Sequence, residues 1–158
     1  MAELIPVAGA KIFISQGTYD TKSADYAEGD FSTETWTEID GWESMGGVGD
    51  EAEIITTSLI NRNRTLKQKG TRDAGTMENN FAIIRGDSGQ DALIAAEATN
   101  DNYGFKIEFD DSGGTNPTTL YFIGLVTNVR EVGGSSNTVQ MMNGSIAINS
   151  NIVTKAAA

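Results

Sequence analysis

Two Asp-Ser-Gly triplets, Asp87-Ser88-Gly89 and Asp111-Ser112-Gly113, are the residues whose types could do chemistry together. Paired triplets of this kind supply the two carboxylates of aspartic proteases, which share one proton because like charges held close cannot both ionise. Each triplet has a simpler local explanation: Asp87 stands where an N-cap opens a helix, and Asp111 sits in a run of turn-forming residues. Too little chain lies between them to build two mirrored lobes, so a protease is rejected.

Other chemical patterns fail on spacing. Asp110 to Asn116 has the letters of a calcium loop, but the twelfth position of an EF-hand requires a bidentate Glu and here holds Tyr121. Lys69-Gly70-Thr71 reverses the order of a phosphate loop and opens no helix, and Gly46-Gly47-Val48-Gly49 is a lone glycine cluster. Asn63-Arg64-Thr65 and Asn143-Gly144-Ser145 fit the glycosylation pattern, which matters only in a secretory pathway. The chain has no histidine and no cysteine. That removes the commonest general base, the thiol nucleophile, disulfides and thiolate metal sites together. Carboxylate-only glycosidase chemistry needs a pair at a defined separation, and none can be picked out. Trp36 and Trp42 could form a sugar-stacking platform, but core packing is the expected role. The expectation is a non-enzymatic protein with no catalytic residues, no metal and no cofactor.

The elements around these residues read as a mainly β domain. At 158 residues the chain fits one domain, 1–158. Tyr103-Gly-Phe105-Lys-Ile107-Glu-Phe109 alternates apolar with small or charged residues, the period of a half-buried strand. Asp110 to Pro117 then predicts a turn, Thr119 to Val132 a returning strand, Gly133 to Asn137 another turn, and Thr138 to Ile152 a last strand or pair. Ala10 to Ser15 and Trp36 to Trp42 are further strands. One helix is signalled over about 88–98: Asp87 caps it, Gln90 completes a capping box, and alanines with Leu93 and Ile94 follow. The helix should pack on the sheet. Between Ser44 and Thr76 no buried strand pair is evident. That segment is expected to be an excursion, a long extended loop or hairpin that orders on assembly. The chain start lacks the pattern of a signal peptide, and no stretch approaches the roughly 20 apolar residues of a membrane helix. A soluble, cytoplasmically made protein with no membrane partner is expected.

Charge is abundant and uneven. The formal net charge is −11, with 22 acids against 11 bases. Half of the acid lies from Asp20 to Glu53, opposed there only by Lys22. From Arg62 to Arg72 the chain carries Arg62, Arg64, Lys67, Lys69 and Arg72 with no acid. Such a surface repels nucleic acid as a whole, while its asymmetry suits head-to-tail self-association.

A series of segments carries a family resemblance. In order they are Trp36-Thr-Glu-Ile39-Asp-Gly41, Asp50-Glu-Ala-Glu-Ile54-Ile-Thr-Thr57-Ser-Leu59, Lys67-Gln-Lys69-Gly70-Thr-Arg-Asp73-Ala-Gly75, Asp87-Ser-Gly89-Gln90-Asp-Ala-Leu93, Tyr103-Gly-Phe105-Lys-Ile107 and Tyr121-Phe-Ile-Gly124-Leu-Val126. Together they resemble the major tail tube proteins of long-tailed, siphovirus-like bacteriophages, over most of the chain from about Trp36 to Val126. The resemblance implies a β-sandwich or barrel-like domain with a flanking helix. It also implies hexameric rings stacked into a tube in the virion tail, assembled in the host cytoplasm. A tape measure protein would occupy the lumen, a tail terminator and distal tail proteins would cap the ends, and DNA would pass through an acidic channel without specific binding. By position, the 44–76 excursion corresponds to the loop that reaches a neighbouring ring. The expected interface residues are Asp50, Glu51, Glu53, Leu59, Arg62, Arg64, Lys67, Lys69, Arg72 and Asp73, with the bases meeting acids of an adjacent subunit. Two readings compete: a tube subunit of a contractile tail, secretion system or gene transfer particle, and a monomeric β-sandwich module binding carbohydrate or protein.

Overall fold

The computed structural model describes residues 4–21, 24–110 and 116–156. Its strands are β1 (Lys11–Tyr19), β2 (Trp36–Ile39), β3 (Trp42–Ser44), β4 (Glu51–Thr57), β5 (Leu66–Asp73), β6 (Thr76–Ala82), β7 (Asn102–Glu108), β8 (Thr119–Val132), β9 (Met141–Ile148) and β10 (Val153–Lys155). A 3-10 turn at Glu28–Phe31 and one helix, α1 (Ser88–Glu97), complete the set. The main sheet runs β2-β1-β7-β8-β9-β6-β3, with β10 beside the start of β8, and every pairing in it is antiparallel. The fold is mainly β, as expected.

Trp36 to Trp42 is not one strand. Asp40-Gly41 breaks it, so that β2 and β3 lie at opposite ends of the sheet although only two residues separate them. Three Cα steps bridge roughly 11 Å at most, so the sheet must curl until its ends nearly meet, an open barrel. Gly41 makes the corner: its φ is +78°, a left-handed value that favours glycine. A Cβ there would also stand 2.4 Å from the Ala82 carbonyl oxygen.

Alternation supplies the core. Ile12 and Ile14, Phe105 and Ile107, Phe122, Ile146, Met77 and Phe81 point to the concave face and are buried, with Leu93 and Ala96 of α1 packed among them. Ile146 and Ile148 share one face, as the sequence indicated. The helix ends at Glu97, one residue before the expected limit. Asp87 does cap it, its Oδ2 accepting from the Gln90 N–H at 2.9 Å. Gln90, however, does not turn back to complete a capping box. Its Oε1 accepts from Ile84 N at 3.1 Å, and its Nε2 donates to the carbonyls of Asp40 and Ala82, each at 2.8 Å. Buried backbone groups without partners are costly, and these loop groups outcompete the cap. Gly89 lets the helix rest on β2, since a Cβ there would lie 2.0 Å from the Glu38 oxygen.

On the convex face, one half of the sheet is roofed. Phe31, on the 3-10 turn, stacks on Tyr121 with ring centroids 5.2 Å apart, and Tyr19, Tyr26 and Trp36 close around it. β1 bulges between Ile14 and Thr18, and the freed N–H groups of Gln16 and Gly17 both donate to Glu34 Oε1 at 3.2 Å. The Tyr19 hydroxyl donates to Glu34 Oε2 at 2.7 Å. Burial, and secondarily this carboxylate, raises the Tyr19 pKa above its ordinary value. The Gly133 to Asn137 turn is present, with Thr138 N donating to Ser135 O. Most of the expected 110–117 turn, residues 111–115, lies outside the described residues, as do the second Asp-Ser-Gly triplet and the last two residues of the chain.

Candidate functional site: a projecting, electrically polar hairpin

The 44–76 excursion resolves into a two-stranded antiparallel sheet, β4 against β5, that pairs with no strand of the main sheet. Its bounds are narrower than expected, because Ser44 still belongs to β3 and Thr76 already to β6. Seven residues of β4 at about 3.3 Å each carry the hairpin roughly 20 Å from its base. Almost every residue in it is exposed. The hairpin is formed within the single chain.

Register sorts the charges along this rod. Glu51 lies opposite Asp73 and Ala52 opposite Arg72 at the base, while Ile54 lies opposite Lys69 and Thr56 opposite Lys67 further out. Residues paired across a ladder share a face, so Lys67 and Lys69 stand on one side with Ile54. The tip, residues 58–65, carries Leu59, Ile60, Arg62 and Arg64, and is tied by Arg62 N to Leu59 O at 3.2 Å. Positive charge therefore gathers at the distal half, and Asp50, Glu51, Glu53 and Asp73 gather at the base. Glu51 facing Asp73 sets like charges directly across a ladder, an arrangement that destabilises. Of the expected interface residues, the structure brings together the acids and Arg72, whose Nη1 is 3.8 Å from Asp50 Oδ2. It sets Arg62 and Arg64 at the far end, while Lys69, opposite Ile54, stands one position from Glu53.

The base opens into a cleft of about 300 Å³ lined by Asp25, Asp50, Arg72 and Asp73 with Asn149, Ser150 and Asn151. Sequence reasoning missed Asp25, which reaches the cleft from a distant segment, and no local pattern marks it. Of the apolar surface that accompanies the charge it named Leu59 alone. Ile60 is fully exposed at the tip and Ile54 is 67% exposed. A rod with a basic, apolar end and an acidic base is complementary in charge to a second copy of itself.

The other chemical candidates dissolve into structure. Asp87-Ser88-Gly89 is the helix cap. Trp36 stacks within the aromatic roof, and Trp42 donates its Nε1–H to Asn79 Oδ1 at 3.2 Å, so neither presents a free sugar platform. No helix is long and apolar enough to cross a membrane among the described residues. No grouping of three acids suited to a metal ion occurs among them either.

No protein-family model matches this chain, and no curated protein matches it by sequence. Solved structures do. A chain of the anti-feeding prophage baseplate superposes with a TM-score of 0.73 at 8% identity, covering 99% of this chain and 98% of its own. A chain of the sheath/tube terminator of PVC, an extracellular contractile injection system, gives 0.69 at 13% identity, covering 98% and 99%. The SPP1 tail tube chain gives 0.65 at 13% identity, covering 96% of this chain and 80% of its own. The chain has the tail tube fold.

Proposed function

We propose that this protein is a non-enzymatic structural subunit that assembles into hexameric rings stacked as a phage tail tube. The observation that carries the reading is the polar hairpin. Its basic tip projects away from the body, and an acidic cleft waits at its own base. In a stack, Arg62 and Arg64 of one copy enter the cleft of Asp25, Asp50 and Asp73 in the next, while Leu59 and Ile60 bury against it. Lys67 and Lys69 extend the contact toward Glu51 and Glu53. Each exposed pair contributes only about 0–1 kcal/mol, but six copies per ring multiply the term. The assembly belongs in the virion tail after cytoplasmic assembly, with a tape measure protein in the lumen and terminator and distal tail proteins at the ends.

A second reading keeps the tube and changes the machine. Two of the three similar structures described come from a prophage baseplate and a contractile injection system, which favours a contractile relative as the alternative.

The test is polymerisation. Concentrated protein viewed by negative-stain electron microscopy should show hollow tubes or stacked rings. The double reversal Lys67→Glu with Lys69→Glu should leave the monomer folded and stop growth. Added salt should weaken growth of the native chain, because charges this exposed are screened beyond about 8 Å at physiological ionic strength. Tubes that grow equally well from the reversed protein would refute the hairpin contact.

A further inference from the structure

Two residue pairs in this chain are prone to spontaneous rearrangement, Asp40-Gly41 and Asn143-Gly144. In each, a glycine without a side chain leaves its amide nitrogen open to the side-chain carbonyl carbon of the residue before it. In a free peptide the asparagine pair reacts first, because an amide is a better electrophile than a carboxylate. The fold reverses that order. Asn143 lies in the middle of β9, paired with Asn80 on one side and Arg130 on the other, and Gly144 is buried. Two ladders hold its backbone extended, and a five-membered ring cannot close on an extended backbone.

Asp40-Gly41 stands outside the ladders, in the two-residue link between β2 and β3, and Asp40 is exposed. The Asp40 Oδ1 accepts from the Gly41 N–H at 2.8 Å, so the carboxyl group is folded back over the nitrogen that must attack it. The carboxyl carbon is one C–O bond from that oxygen, which puts it near the roughly 3–3.5 Å of a near-attack pair. The main chain on either side is pinned. Asp40 N donates to Asp87 Oδ2 at 3.2 Å, the Asp40 carbonyl accepts from Gln90 Nε2 at 2.8 Å, and the Gly41 carbonyl accepts from Ala82 N at 2.6 Å. Groups already held in place meet without the entropic cost that a free peptide bears.

We propose that Asp40 of the folded chain isomerises through a succinimide, which makes this link the site at which the molecule ages covalently. The Gly41 nitrogen gives its proton to solvent and bonds to Asp40 Cγ, and one carboxyl oxygen departs as water. A second water then opens the ring at either carbonyl. Attack at Cγ restores aspartate, while attack at the former main-chain carbonyl leaves isoaspartate, with no net change in mass. The isomer carries the chain through Cβ, one atom longer, and turns the carbonyl that Gln90 grips into a free carboxylate. Gly41 makes the corner between the two ends of the sheet, so the change falls where the barrel closes. The reaction needs no partner copy.

Folded protein incubated for weeks at neutral pH in heavy-oxygen water, then digested in ordinary water and weighed peptide by peptide, tests the order of the two sites. The peptide holding Asp40 should take up one labelled oxygen and include a fraction that fragmentation identifies as isoaspartate, while the Asn143 peptide stays unchanged. The same chain held in urea should reverse this, with Asn143 losing its amide first. Asp40→Asn keeps the acceptor and supplies the better electrophile, so in the folded chain it should convert faster than Asn143. Asp40→Glu would need a six-membered ring and should not convert. A folded chain whose Asp40 takes up less label than it does in urea, or whose Asn143 changes first, would overturn the proposal.

Discussion

Replacing Gln90 by Ala tests whether the helix is held by its cap or by its side-chain bridge. The side chain is 3% exposed and makes three bonds, one accepted from Ile84 N and two donated to the Asp40 and Ala82 carbonyls. A hydrogen bond contributes about 1 kcal/mol net, and a buried group left unpaired costs about 1–3 kcal/mol. Three such bonds put the loss at roughly 3 kcal/mol, before the cavity left by the missing side chain is counted. For a domain this size, with a urea slope of about 2 kcal/mol/M, the midpoint should fall by about 1.5 M at an unchanged slope. Equilibrium urea unfolding followed by circular dichroism measures this directly. Gln68→Ala, on the exposed hairpin, is the control and should move the midpoint little. A loss below about 1 kcal/mol for Gln90→Ala would show that the bridge contributes no more than an ordinary surface residue, and the account of the helix docking would be wrong.

Gly89→Ala should be worse than its helix propensity suggests. The added methyl meets the β2 backbone at Glu38, so a thermal melt should show a large drop or no cooperative transition, where propensity alone predicts a gain of up to about 1 kcal/mol. Stability should also decline in strong alkali. The raised Tyr19 and Tyr121 pKa values, set first by burial, favour the neutral ring in the folded state. That contribution is complete below the ordinary value of 10.0 and is lost as pH climbs from there toward the folded values. Urea midpoints taken from neutral pH to above pH 10 should show the fall, and Tyr19→Phe should make it shallower.

The parts of the fold that follow strict alternation were legible in the sequence, and the parts that break it were not. Tyr103 to Phe109 and Thr119 to Val132 sit with one face in the core, so their chemistry alternates and their strands are plain. β6 was hidden because its middle inward position is Asn79, a polar residue whose Oδ1 accepts from Trp42 Nε1 and Gly46 N. β4 and β5 lack alternation for the opposite reason, since neither face is buried and nothing selects apolar residues at every second position. The break at Gly41 needed knowledge of the Ala82 carbonyl, which is remote in sequence. The charged residues of the site were legible by type. Their sorting into tip and base depends on strand register, which a list of charges does not contain.

The hairpin leaves and rejoins the body at almost one place, Glu51 beside Asp73. Its length is therefore uncoupled from the rest of the molecule. Adding two residues to each strand would preserve which side chains share a face and move the tip by about 6.6 Å, while a single added residue would invert the faces. In the stacking proposed above, the axial repeat of the assembly can thus change in discrete, parity-preserving steps while the barrel and its core stay as they are.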